Sequence, residues 1–340
     1  MKAGIVKVIP PDEWLEKQPE ISEALKKIKI ANPIRQKPKI NEPGVLLQQA
    51  MPQKETYTVE EWASLCAAEK ERLPDFDKIK IWVEDQYPSG SALPSSQDRN
   101  QDQKCAWMAE HLLSDCADPA GWIASLCEEL ENGYWNTLHQ GTKGSIYGAD
   151  VQVTLFDASV EEWNFTKLDS VLTRMLRRVV DDGRWTGVEE DSETIEGIDT
   201  PYLYFGSWGS TFAWHVEDIC LSSINYIHSG APEQWYGVPQ GKSKLYEETL
   251  RTLIPEDAKA CKEFIRLKRC IFRPTQLPGT EPLSVVQYAN NLNLTFPQGY
   301  HSGFNYGYSC AEAVDFALDD WVRMSAELLP EFRFRLSGSA

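Results

Sequence analysis

The chain has 340 residues, 42% of them hydrophobic, which excludes global disorder and allows one large domain or two small ones. Its 34 basic and 51 acidic residues give a net charge of −17, which argues against strong direct nucleic-acid binding and favours a basic partner such as a Lys/Arg-rich peptide. Eight cysteines form no CxxC pair and no apolar run approaches the ~20 residues of a membrane span, so a soluble intracellular protein with free thiols is expected, with no membrane partner.

Prolines in "KVIPPDEW" and "IANPIRQKP" predict extended segments over residues 1–50, with one short helix near Pro19 to Lys27. The stretch Thr58 to Glu69, "TVEEWASLCAAE", reads as a helix with Thr58 and Glu61 forming a capping box. Residues 88–104 are polar and rich in Pro, Ser, Gly and Gln, and read as a mobile loop or insertion. Apolar spacing through Trp107, Leu112, Trp122, Leu126 and Leu130 predicts helix over 105–135. The character changes at Ser145, where "SIYGADVQVTLF" alternates like a strand. A helix from about Leu168 to Val180 and an acidic loop, "VEEDSETIEG", follow. Short strand-like runs then recur from Pro201 to Phe316, with a helical interruption near Gly241 to Arg269 and a closing helix over 316–331. The fold class expected is mainly β with flanking helices, built as a sandwich or jelly-roll barrel.

The stretch "TFAWHVED" carries one of five histidines. Alternate strand residues share a face, so His215 and Glu217 would be neighbours. An imidazole and a carboxylate are two members of a 2-His-1-carboxylate triad, which holds Fe(II) and leaves positions open; zinc accepts the same ligands. HxE alone equally describes a hydrogen-bonded strand histidine beside a solvated carboxylate. The third ligand could be His111, His139, His228 or His301, of which His228 and His301 lie in the β-rich half.

The segment 195–239, "IEGIDTPYLYFGSWGSTFAWHVEDICLSSINYIHSGAPEQWYGVP", resembles the JmjC core of the JmjN/JmjC histone lysine demethylases. "LTFPQGYHSGFNYGYSCAEAVDFA" (294–317) resembles the end of that core, and "AGIVKVIPPDEW" resembles the tail of a JmjN segment. The subgroup most similar acts on methylated histone H3 lysines 9 and 36. The resemblance implies a double-stranded β-helix (cupin-like jelly-roll) over 145–317. A partial JmjN-like segment at 1–50, a helical linker region at 51–144 with an insertion at 88–132, and a C-terminal helix and tail at 318–340 would complete the chain. It implies a nuclear chromatin enzyme that uses Fe(II), 2-oxoglutarate and O2 to hydroxylate an N-methyl carbon of a histone-tail lysine, with loss of formaldehyde.

By matching position, the iron ligands would be His215, Glu217 and His301. Tyr147 would hydrogen-bond the distal carboxylate of 2-oxoglutarate, with Phe212, Trp235 and Asn225 around that co-substrate. Gly197, Tyr204 and Glu217 would stand near the methylammonium, and Asp150 would contact the peptide. Three features depart from the pattern. Glu233 stands where the family has the lysine that pairs with the distal carboxylate, which suggests the alternative of a weak or inactive module that binds histone tails or chromatin partners. Cys261 matches one of four structural zinc ligands but Leu267 stands at the histidine position, so no structural zinc is expected. Ala313, Val314 and Asp315 replace small hydroxyl residues and Asn, and Asp315 adds negative charge at the methyl-lysine pocket.

Overall fold

The computed structural model describes residues 3–42, 44–68, 122–138, 144–174, 198 and 200–328. Fifteen strands carry most of the order. They are β1 (Ile5–Val8), β2 (Lys29–Ala31), β3 (Ile34–Glu42), β4 (Val45–Pro52), β5 (Thr56–Thr58), β6 (Ser145–Val151), β7 (Tyr202–Gly206), β8 (Thr211–His215) and β9 (Ser222–Gly230). The rest are β10 (Glu233–Gly237), β11 (Cys270–Ile271), β12 (Leu283–Gln287), β13 (Leu292–Thr295), β14 (His301–Asn305) and β15 (Ser309–Phe316). Nine form a large sheet in the order β1-β13-β9-β15-β7-β6-β3-β4-β11, and four form a facing sheet, β12-β10-β14-β8. All neighbours are antiparallel, and apart from β3-β4 and β6-β7 they are non-sequential, as in the cupin-like jelly-roll expected from the sequence.

The helices are α1 (Asp12–Leu15), α2 (Ser22–Leu25), α3 (Val59–Ala68), α4 (Trp122–Leu138), α5 (Ser243–Leu253), α6 (Pro255–Ala260) and α7 (Asp319–Leu328), with one turn at 171–174. The box that begins α3 is formed: Glu61 N–H donates to Thr58 Oγ1 (3.1 Å) and Thr58 N–H to the Glu61 carboxylate (2.7 Å). The strand expected from Ser145 ends at Val151, and the alternation beyond it is loop. The segments 88–121 and 175–197 lie outside the described residues. Cys127 and Leu130, within the stretch expected as an insertion, are buried core residues of α4.

Both sheets are covered on their outer faces, which leaves the inner faces turned toward each other. Behind the small sheet, Trp214, Tyr236 and Phe304 pack against Tyr134 and Trp135 of α4 and Tyr246 of α5. Tyr134 and Phe304 stack at 3.7 Å. Behind the large sheet, Trp14, Phe156 and Phe165 cover Ile224, Tyr226, Leu292 and Val314. The N-terminal segments add Ile30 and Trp62, both fully buried, against Leu203 and Phe205. Each such side chain contributes on the order of 2–3 kcal/mol of transfer free energy.

Candidate metal centre

The small sheet aims the triad. His301 opens β14 directly opposite His215, the last residue of β8. Between that pair and the next, Gly303 with Phe212, β14 advances two residues and β8 three. The extra residue is a bulge, and it turns both Phe212 and His215 to the interior while Trp214 stays in the outer core. Glu217 follows the strand in extended conformation (φ −65°, ψ 153°), which keeps its carboxylate on the side of His215.

His215, Glu217 and His301 each offer one ligand atom, all within 4.8 Å of one another. His301 Nε2 lies 3.2 Å from Glu217 Oε1 and His215 Nε2 3.8 Å from Glu217 Oε2. Each imidazole is fixed from behind: His215 Nδ1–H donates to the Ala213 carbonyl (2.7 Å) and His301 Nδ1–H to the Gly299 carbonyl (2.9 Å). A carbonyl only accepts, so each Nδ1 carries a proton, which leaves each Nε2 turned toward Glu217 as the atom a metal would take. Burial, reinforced by His301, lowers the His215 pKa to about 4, which keeps it neutral near pH 7. The Glu217 pKa is lowered on balance: burial raises it, and the facing imidazoles, His301 first, together with Lys268 more than offset that, so the carboxylate stays ionised. Two imidazole nitrogens and one carboxylate oxygen are the donor set that Fe(II) accepts on one octahedral face. The residues present fit that metal.

Of the other histidines, His228 is on the far face of the large sheet. Its Nε2 lies 2.8 Å from Glu312, whose carboxylate also accepts from Thr154 Oγ1 (2.6 Å) and Leu155 N–H (2.9 Å). That buried cluster is satisfied internally. His111 and His139 lie outside the described residues. Cys261 and Leu267 are both exposed.

The interior beside the triad collects most of the other expected residues. Phe212 and Trp235 rings meet at 4.5 Å, and Trp235 lies 6.1 Å from the His301 ring. They meet because Gly303, between them in the sheet, has no side chain: a Cβ there would stand 1.9 Å from the Gln234 carbonyl and 2.3 Å from Phe212 Cζ. Tyr147 and Tyr204 stack at 6.1 Å on β6 and β7. Tyr147 is held protonated by burial first and then by the nearby Glu233 and Asp150. Tyr204 lies against the Asp150 side chain, and its hydroxyl is pushed up by burial and then by Asp150, Tyr147, Glu217 and Asp315. On β15, Ala313 stands opposite Asn225 and Asp315 opposite Ser223, so both share the inner face of β9. Asp315 is held well above the usual carboxylate range by burial and then by Glu217. Gly197 lies outside the described residues.

Glu233 is buried (2% exposed) beside Tyr147, and burial alone raises its pKa to about 8. Such a group does not fit the distal carboxylate of 2-oxoglutarate: ionised it repels, and neutral it lacks the charge of a lysine.

Lys268 is a residue that the sequence patterns do not mark. It sits in the left-handed region (φ +48°) after a short 3-10 turn, with Nζ 3.1 Å from Asp218 Oδ2, and its charge lowers the pKa of Glu217 and Asp315. A cleft of about 500 Å³ runs from the triad past Asp218, Cys220, Arg266 and Lys268. Only the tertiary fold brings Lys268 to the triad; an isolated Lys after an apolar turn has no spacing signature.

Residues 202–316 match the family model described as "JmjC domain, hydroxylase". The chain is 32% identical to human probable lysine-specific demethylase 4F over 323 residues (94% of this chain, 40% of that protein). It is 32% identical to rat lysine-specific demethylase 4D over 324 residues (94% and 50%) and to mouse lysine-specific demethylase 4B over 323 (94% and 24%). The chain thus spans half or less of the length of these relatives. With a matched core and a jelly-roll of facing sheets, residues 202–316 are a JmjC domain, in a chain similar across nearly its whole length to lysine-specific demethylases.

Proposed function

We propose that the chain is an Fe(II)-dependent oxygenase that demethylates lysine in a basic histone-tail peptide, acting in the nucleus with O2 and a 2-oxo acid as co-substrates. The observation that carries this reading is the half-buried His215–Glu217–His301 cluster with both Nδ1 atoms tied to carbonyls. His215, Glu217 and His301 would hold the metal, which when bound supplies oxygen activation. Phe212 and Trp235 exclude water from its inner side. Tyr204 presents an aromatic face and a protonated hydroxyl toward Asp150 and Asp315, which suits a methylated ammonium. Ala313 leaves room beside Asp315, and Asp150 at the rim suits contact with peptide. The net charge of −17 favours capture of a basic tail. No structural zinc is included, because Leu267 offers no ligand atom.

The core assigned to this chemistry is 145–317. The preceding residues are assigned to a partial JmjN-like segment (1–50) and a linker region (51–144), and 318–340 to a C-terminal segment that begins with α7. Tyr147 and Asn225 would flank the co-substrate, with Glu233 at its far end. A second reading, a binding module without turnover, is favoured by one observation: the buried Glu233.

Formaldehyde release from methylated histone H3 peptides, with Fe(II) and 2-oxoglutarate, separates the two. Release by the native chain that His215→Ala abolishes supports the oxygenase. Peptide binding without release by the native chain, whichever 2-oxo acid is supplied, supports the binding module.

A further inference from the structure

Between the sheets, around Glu233, buried hydrogen-bond groups are left without partners. Glu233, Gln287 and Asn305 lie in one row across β12, β10 and β14, so they share a face. Gln287 has a fixed orientation: its Nε2 donates to Asn225 Oδ1 (2.9 Å), the Asn225 carbonyl (3.2 Å) and the Asn291 carbonyl (3.0 Å). Its Oε1 must therefore point away from these, and it has no partner. Asn225 Oδ1 is used by the same bond. On β13, Asn293 stands directly opposite Asn225, fully buried, with neither Oδ1 nor Nδ2 partnered. Orphaned buried polar atoms of this kind are uncommon, and here two side chains carry them beside a buried carboxyl group.

Resting on the oxygenase reading above, we propose that this pocket takes a 2-oxo acid whose distal group donates N–H hydrogen bonds, an amide or an ammonium, in place of the distal carboxylate of 2-oxoglutarate. Glu233, Gln287 Oε1 and Asn293 Oδ1 are acceptors for such a group, while the Asn293 amide and the Trp235 indole N–H, two residues along β10 from Glu233, are the unpartnered buried donors on this side. A carboxylate would meet the same oxygens with none of its own charge offset. The cost of mismatched polar groups in a closed pocket is what gives sites of this kind their discrimination.

The test uses the full chain loaded with Mn(II) and three redox-inert probes that share an oxalyl chelating end: N-oxalylglycine (carboxylate), N-oxalylglycinamide (amide) and N-oxalylethylenediamine (ammonium). Titration calorimetry should show the amide or the ammonium binding at least tenfold more tightly than the carboxylate. Tightest binding of the ammonium indicates an ionised Glu233, and of the amide a neutral one. Glu233→Lys should reverse the order; where that variant does not fold, Glu233→Gln should at least narrow the gap. Equal or tighter binding of N-oxalylglycine by the native chain overturns the proposal and leaves the oxygenase reading intact. Absence of Mn(II)-dependent binding for every probe, in native and variant chains alike, overturns the oxygenase reading itself.

Discussion

A carboxyl group held in the interior without a cation couples folding to pH, and Glu233 is such a group. Its pKa is about 8 when folded against an ordinary 4.5, so both states bind the proton below pH 4.5 and the group costs nothing there. As pH rises from 4.5 to 8, the unfolded chain ionises first and the folded state loses up to on the order of 4 kcal/mol. Tyr147 beside it stays protonated throughout that window. Glu233→Gln should therefore raise the melting temperature at pH 8 by about 5 °C or more, and by less than about 2 °C at pH 5. Equal shifts at both pH values would show that Glu233 is not a buried acid. The sequence made Glu233 legible only through family resemblance, since its isolation depends on strands far apart in the chain. Gln287 and Asn293 were not legible at all, because an unpartnered amide is a property of packing rather than of spacing.

Among the elements, β8 and β14 decide the site. His215 and Glu217 were legible as neighbours from the HxE spacing, and the distant "GYHSGFNYG" supplied His301 through the resemblance. The bulge on β8 was not legible, yet without it Phe212 and His215, three apart, would face opposite sides. The glycine in "HSGFN" does carry a signal, since Gly inside a strand marks close approach. Gly303→Ala should cost about 2–4 kcal/mol in chemical denaturation, because its Cβ would overlap the Gln234 carbonyl and Phe212. A loss below about 0.5 kcal/mol would show that β10 and β14 yield easily there. The α3 capping box was readable from four residues, because it is a local interaction. Thr58→Ala should cost about 1 kcal/mol, measured the same way.

The jelly-roll architecture of the whole molecule was legible from short strands, turn residues and aromatic content, while strand order was not. Pairs such as β3 with β6 join residues more than 100 positions apart, and no local pattern encodes them. The acidic surface has its own consequence. Affinity for a basic histone-tail peptide should fall more than about threefold between 50 and 500 mM salt by fluorescence anisotropy, as screened attraction requires, and a flat response would assign recognition to buried contacts alone. The central claim is that three side chains, brought together by two strands of the small sheet, hold one metal ion. Anaerobic titration of Fe(II) into the native chain and into His215→Ala, with folding of both checked by circular dichroism, tests it most directly. The account predicts one ion per native chain and at least a hundredfold weaker binding in the variant; stoichiometric uptake retained by a folded His215→Ala would contradict it.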